Sequence, residues 1–95
     1  MRNPPGTFEE QVDTAFARLH GILDNLGASS RDLLRLNLYA TKLPSRDLST
    51  LRRIRDRWVD AEHLPASTLI GVEALALPGL EFEVDAVCVD LGWQP

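Results

Sequence analysis

The amino-acid sequence predicts an α+β fold, with two helices packed on one face of a β-sheet and the element order α-β-α-β-β. Two segments predict the helices because their apolar residues recur every three or four positions, and three segments have the alternation or composition of strands. Hydrophobic residues make up 44% of the 95-residue chain and charged residues 25%, as is typical of globular proteins. We expect a single domain over residues 1–95, with a flexible N-terminus at 1–6 and a tail at 91–95.

The first helix is predicted over residues 8–26. An apolar stripe runs along it, formed by Phe8, Val12, Phe16, Leu19, Leu23 and Leu26. Thr7 and Glu10 have the spacing of a capping box, in which each side chain binds the backbone N–H of the other residue. Gly27 stands where a residue of left-handed conformation would end the helix.

The first strand is predicted over residues 32–42, where apolar and polar residues alternate. The apolar positions are Leu34, Leu36, Leu38 and Ala40, and the polar positions are Arg35, Asn37, Tyr39 and Thr41. A period of two gives a strand one buried and one polar face. If copies of the chain associate through this polar face, we expect Asn37 and Tyr39 to pack at the interface, with substrate contact as the alternative.

The second helix is predicted from Asp47 to about Ala61. A carboxylate in the first turn is favourable because the N-terminus of a helix carries partial positive charge. The buried stripe consists of Leu48, Leu51, Ile54 or Arg55, and Trp58. Leu64-Pro65 then ends the helix.

The last two strands are predicted over residues 67–77 and 80–90. The first is apolar enough for a central strand, and the second alternates between apolar and polar residues. Pro78-Gly79 reads as a short turn between them, so we expect an antiparallel hairpin. The sheet face away from the helices would carry apolar as well as polar residues, which indicates an oligomer.

Composition and charge exclude several classes of protein. The net charge of −4 argues against nucleic-acid binding, which needs a basic surface. Apolar stretches such as 75–80 are far shorter than a membrane-spanning helix, and the first residues show no apolar signal-peptide core. The single cysteine, Cys88, cannot form an intrachain disulfide, so we expect a cytoplasmic protein.

Neither histidine predicts a metal site, because the sequence has no His-x-x-x-His pair and no Cys/His cluster. We expect His20 to be a half-buried structural residue and His63 to lie on the surface. Cys88 is expected to be a small buried residue. The arginines of the second helix, Arg52, Arg53, Arg55 and Arg57, alternate with apolar and acidic residues. That pattern is typical of a solvated helix face.

Three motifs follow one another in the C-terminal half: Pro-Ala-Ser-Thr at 65–68, Leu-Pro-Gly at 77–79, and Glu-Phe-Glu-Val-Asp-Ala at 81–86. Their order resembles the Rid family (YjgF type), the imine and enamine deaminases also known as endoribonuclease L-PSP. The strand Asp-Leu-Leu-Arg-Leu-Asn-Leu-Tyr at 32–39 agrees as well. The resemblance implies a mixed, chorismate-mutase-like sheet and a homotrimer with small-molecule pockets between subunits. It implies no metal or organic cofactor.

In the family that the chain resembles, an arginine after the Pro-Ala pair holds the substrate carboxylate, and a glutamate on the last strand orients water or moves protons. Glu83 matches that glutamate, whereas Ser67 stands at the arginine position. Without the two charge-assisted hydrogen bonds that an arginine donates to a carboxylate, substrate carboxylates should bind about a hundredfold more weakly. Arg52, on the second helix, is a candidate replacement.

Family proteins also carry strands ahead of the first helix, which cover one edge of the sheet. We expect either a shortened domain or a fragment here. In both cases an unpaired edge would be left, which invites pairing with a strand of another chain.

The candidate catalytic residue is therefore Glu83, and the candidate substrate-binding residues are Ser67, Thr68, Arg52 and Asp85. Each has a structural alternative. In that alternative, Glu83 and Asp85 belong to a solvated face of the last strand, and Ser67 and Thr68 are only the first residues of a strand. The function expected is that of a small-molecule protein acting on imine or enamine intermediates. The alternative is an inactive binding or assembly module with the same fold.

Overall fold

The computed structural model describes residues 6–89 and contains two helices and a three-stranded mixed sheet. The helices are α1 (Phe8–Asn25) and α2 (Leu48–Asp56), and the strands are β1 (Leu33–Thr41), β2 (Ala66–Val72) and β3 (Phe82–Cys88). This confirms the predicted fold class and element order. The predicted tail, and the flexible N-terminus except for Gly6, lie outside the described residues. Within residues 6–89, no helix is long and apolar enough to cross a membrane.

The strand order is β2-β1-β3, so the predicted hairpin between the last two strands is wrong. Strand β1 lies between them, parallel to β2 and antiparallel to β3. Helix α2 forms the crossover connection that a parallel pair requires. Strand β2 ends at Val72 rather than at Leu77, and residues 73–81 cross to the other edge of the sheet. Neighbouring strands lie about 4.8 Å apart, so the distance from β2 across β1 to β3 is about 10 Å, which the connecting segment is long enough to cover.

The core lies between the helices and one face of the sheet. Strand β1 is the middle strand of the sheet, and its inward residues Leu36, Leu38 and Ala40 are all buried. The ring of Phe82 packs between two rings of α1, with centroids 6.0 Å from Phe8 and 6.2 Å from Phe16. The other buried apolar residues are Val12, Leu23, Ala28, Leu33, Leu51 and Ile54.

The start of β1 departs from the predicted alternation. Leu33 is 3% exposed and Leu34 53%, although Leu34 was expected to face inward. The pairing with β3 shifts register between Leu33 and Arg35, so Leu34 is the extra residue of a β-bulge. From Leu36 to Ala40 the alternation agrees with the prediction, whereas Thr41, predicted at a polar position, is buried.

The predicted helix ends are confirmed for α1 and corrected for α2. Thr7 and Glu10 form the capping box, and Gly27 adopts a φ of 75° at the end of α1. Asp47 is the N-cap of α2, where its carboxylate accepts the N–H groups of Ser49 and Thr50. Hydrogen bonds from the hydroxyls of Ser49 and Thr50, followed by those from their N–H groups, lower the pKa of Asp47.

Helix α2 ends at Asp56, before the predicted end at Ala61. Beyond it, the Asp60 side chain accepts the N–H of Glu62 at 2.8 Å, and the Asp60 carbonyl accepts the N–H of His63 at 3.0 Å. An aspartate that binds the nearby backbone in this way competes with a helix, so residues 60–63 form a turn outside α2.

Candidate functional site

The sheet face turned away from the helices is called the open face below. The strand registers place three rows of side chains on it, because residues paired across strands point to the same side. The rows are Ala66–Arg35–Val87, Thr68–Asn37–Asp85 and Ile70–Tyr39–Glu83, each written from β2 through β1 to β3. Thr68, Asp85 and Glu83, three of the predicted site residues, therefore share this face.

Asp85 is anchored by two neighbours on β1. Asn37 Nδ2 donates to Asp85 Oδ1 at 2.8 Å, and the Tyr39 hydroxyl donates to Asp85 Oδ2 at 3.0 Å. The bond to Asp85 is the main cause that raises the pKa of Tyr39, followed by desolvation and by the negative charges of Asp85 and Glu83. Both carboxylate oxygens of Asp85 thus have protein donors, which suits a residue that positions its neighbours.

Arg35 is a residue of the open face that the sequence analysis treated only as a polar strand position. Its Nη2 donates to Thr68 Oγ1 at 3.3 Å. The guanidinium thus lies beside Thr68, in the row next to that of Glu83. The alternation predicts which face Arg35 occupies, but only the pairing of β1 with β2 brings it to Thr68.

Ser67 and Arg52 meet at a different place. Ser67 pairs with the buried Leu36 and so points to the helix side of the sheet, opposite to Thr68. A cavity of about 200 Å³, here called the α2–β2 cavity, lies between α2 and the inner faces of β1 and β2. Its lining consists of Leu38, Leu48, Leu51, Arg52, Arg55, Ser67 and Leu69. The candidate replacement for the missing arginine therefore shares a cavity with the serine that stands in its place.

Glu83 lies far from that cavity in the same chain. Glu83 is on β3 and Ser67 on β2, and β1 lies between these two strands. On β1, Glu83 pairs with Tyr39 and Ser67 pairs with Leu36, which lies three residues before Tyr39. The Cα atoms of Glu83 and Ser67 are therefore about 14 Å apart, on opposite faces. Glu83 borders a second cavity, of about 260 Å³, between α1 and β3, together with Arg18, Thr14 and Leu19 among others. One chain does not bring Glu83 and the Ser67–Arg52 pair together.

Gln11 is a second residue whose part the sequence analysis did not foresee. It is 3% exposed, and its Nε2 donates to the carbonyls of Gly79 at 3.0 Å and Gly6 at 3.3 Å. Its Oε1 accepts the N–H of Glu81 at 2.7 Å. Gln11 thus fixes the approach to β3 and, through it, the position of Glu83. A single polar residue in an amphipathic helix carries no sequence signal for this part.

The histidines and the cysteine have structural surroundings. His20 Nδ1 lies 3.0 Å from the carbonyl of Phe16, and its ring packs on Trp58 with centroids 4.9 Å apart. His63 lies beside Asp60, at 3.7 Å, and Cys88 is half-buried against the core. In the part of the chain that the structure describes, no group of three or more His, Cys, Asp or Glu side chains is arranged to hold a metal ion.

Comparison with known proteins places the chain in a family. The family model described as endoribonuclease L-PSP matches residues 2–90. No curated protein sequence is significantly similar to the chain. Structural similarity to solved proteins is high, as three of them illustrate.

A Yersinia pestis protein of the Rid family, YyfB, is 29% identical with a TM-score of 0.69, and the match covers 87% of this chain and 63% of that one. A Thermotoga maritima protein proposed to be an endoribonuclease is 26% identical with a TM-score of 0.75, with coverage of 92% and 65%. Escherichia coli TdcF, solved with bound serine, is 21% identical with a TM-score of 0.77, with coverage of 90% and 67%. This chain thus spans about two thirds of the length of these relatives. It belongs to the endoribonuclease L-PSP family, also called the Rid or YjgF family.

Proposed function

We propose that the protein hydrolyses the C=N bond of a small imine, or of an enamine through its imine form. The observation that carries the proposal is that Arg52 and Ser67 line one cavity, at the place of the family motif where the arginine is missing. A guanidinium supplied by α2 can then bind the anionic group of a substrate in place of the missing one.

In the proposed reaction, Glu83 accepts a proton from water while the water oxygen forms a bond to the imine carbon. The resulting tetrahedral adduct breaks its C–N bond as the nitrogen takes up a proton, and the products are a carbonyl compound and ammonia. No electrons are transferred, so the reaction needs no redox cofactor. Thr68 and Asp85 are the remaining candidates for substrate contact on the open face.

The proposed site is shared between copies of the chain. Since Glu83 and Ser67 are about 14 Å apart on opposite faces of one sheet, a small substrate cannot touch both in one protomer. We propose a homo-oligomer, a trimer by the family resemblance, in which Glu83 of one copy faces Ser67 and Arg52 of the next. The mixed character of the open face, with Ile70 and Val87 beside charged residues, supports contact between copies.

Further support concerns the kind of ligand and its surroundings. In the relative TdcF the fold accommodates serine, a small amino acid. The net charge of −4 disfavours nucleic acid as a partner, and the single cysteine agrees with a cytoplasmic location. We expect no metal or organic cofactor.

The test is deamination of 2-iminobutanoate, generated in place by a threonine dehydratase. We expect a low rate for the parent protein, since it lacks the family arginine, and a higher rate for Ser67→Arg. Ala17→Arg, which adds the same charge at an exposed position of α1, should leave the rate at the parental level. Glu83→Gln in the Ser67→Arg background should abolish the gain.

Co-assembly tests the sharing of the site. The double variant Ser67→Arg/Glu83→Gln has the guanidinium but lacks the glutamate, and the parent has the reverse. Mixed oligomers of the two should be more active than either alone, because Glu83 of the parent then faces the introduced guanidinium. If the parent and Ser67→Arg both fold and assemble but neither deaminates the substrate, the binding-module alternative replaces the proposal.

A further inference from the structure

We propose that the α2–β2 cavity binds a phosphate monoester group, so that the substrate is a phosphorylated imine or amine rather than a simple carboxylate. The inference rests on the proposed function for the reaction, but the binding of phosphate can be measured without it. The hydrogen-bond donors of the cavity, its charge and its size support the inference.

The polar side chains of the cavity are all hydrogen-bond donors. Arg52 and Arg55 lie three positions apart on α2 and therefore on one helix face, and the hydroxyl of Ser67 comes from β2. Among residues 6–89, no carboxylate lines this cavity. By contrast, the lining of the cavity beside α1 includes both Arg18 and Glu83.

The charge of the cavity is only partly compensated. Arg55 donates to Asp56 through Nε at 3.1 Å and Nη2 at 2.9 Å, but the side chain of Asp56 is 60% exposed and does not line the cavity. Arg52 forms no ion pair with any residue in the described part of the chain. Two guanidinium groups and one hydroxyl match the three terminal oxygens and double charge of a phosphate monoester better than they match the two oxygens of one carboxylate.

The size of the space favours a small ligand over a polymer. About 200 Å³ is less than the pockets that bind whole drug-sized molecules, but it is sufficient for an anionic head group. Leu38, Leu51 and Leu69 form an apolar floor, where charge-assisted hydrogen bonds are stronger than in water. Elsewhere on the helix, Arg57 is paired with Asp13 at 3.4 Å, so the arginines do not form one free basic stripe for RNA.

The experiment compares ethyl phosphate with propanoate at equal ionic strength, by chemical-shift titration of the ¹⁵N-labelled full chain. Ethyl phosphate should bind at least about tenfold more tightly, and Arg52→Met and Arg55→Met should each weaken it by about tenfold or more. Arg53→Met is the matched control, because Arg53 lies on the same helix but does not line the cavity. It should change the affinity less than about twofold. The ¹⁵N spectrum of each variant reports whether it is folded.

Equal binding of propanoate and ethyl phosphate, or an equal loss with Arg53→Met, would overturn the inference. So would a uridine hexanucleotide that binds more tightly than ethyl phosphate and loses affinity with Arg52→Met, because the cavity would then serve RNA. The binding of phosphate and the deamination are measured separately, so the two proposals can fail separately. Phosphate binding without any deamination would thus contradict the proposed function alone, and deamination without preference for phosphate would contradict this inference alone.

Discussion

Gln11→Leu tests whether one buried amide holds the approach to β3 in place. Leucine has nearly the same size but can neither accept the N–H of Glu81 nor donate to the carbonyl of Gly79. Each buried group left without a partner costs about 1–3 kcal/mol. Gly79 and Gly6, whose carbonyls Gln11 binds, are both exposed, so these carbonyls can bind water instead and we assign them no cost. The N–H of the half-buried Glu81 carries the expected loss.

The expected loss is therefore about 1–3 kcal/mol, against the total of about 5–15 kcal/mol that is usual for a domain. For a domain of this size, 1 kcal/mol shifts the melting midpoint by about 4–8 °C, so the midpoint should fall by at least about 4 °C. Urea unfolding followed by circular dichroism measures the free energy of unfolding directly. All variants are compared at one protomer concentration, because assembly would raise the apparent stability.

Thr14→Leu is the control for this experiment. Thr14 is exposed one turn further along α1, and the same kind of polar-to-apolar change there should alter the free energy of unfolding by less than about 0.5 kcal/mol. If Gln11→Leu is as stable as Thr14→Leu, the hydrogen bonds of Gln11 do not stabilise the fold, and the argument for its part in positioning Glu83 fails.

Two further predictions concern the open face and the end of α1. Tyr39, the single tyrosine, should ionise above its ordinary pKa, and Asp85→Asn should return the pKa toward 10.0 in a titration of tyrosinate absorbance. Because folding raises the pKa of Tyr39, the hydrogen bond of its protonated hydroxyl stabilises the fold fully below pH 10, and this stabilisation is lost as the pH rises through the raised pKa. Identical titrations of the parent and Asp85→Asn would refute the prediction. Gly21→Ala, inside α1, should stabilise the protein by about 0.5–1 kcal/mol, whereas Gly27→Ala should destabilise it by about 1–2 kcal/mol, since Gly27 has a φ of 75°. Neither added methyl meets an atom within 4 Å, so equal effects in urea unfolding would contradict the conformational explanation.

Candidate site residues could be chosen from the sequence, but their arrangement could not. Glu83, Ser67 and Arg52 were selected because motifs in sequence order resemble a family, and the comparisons confirm that family. Their roles remain predictions. Arg35 and Gln11 escaped notice because a single polar residue in a strand or helix has no distinctive pattern. Their contacts, with Thr68 33 positions away and Glu81 70 positions away, depend on segments that only folding brings together.

The sequence by itself determined the local structure of this protein. The spacing of apolar residues, or for β2 their number, predicted each helix and strand, and Thr7, Asp47 and Gly27 predicted helix ends. These signals act between residues close together in the chain. The tertiary structure alone decided that β1 lies between β2 and β3, and that Leu33 rather than Leu34 faces the core. Strand pairing is decided by the burial of side chains from distant segments, and a one-residue shift reverses which side chains are buried. The same long-range packing puts Arg52 beside Ser67 and keeps both away from Glu83.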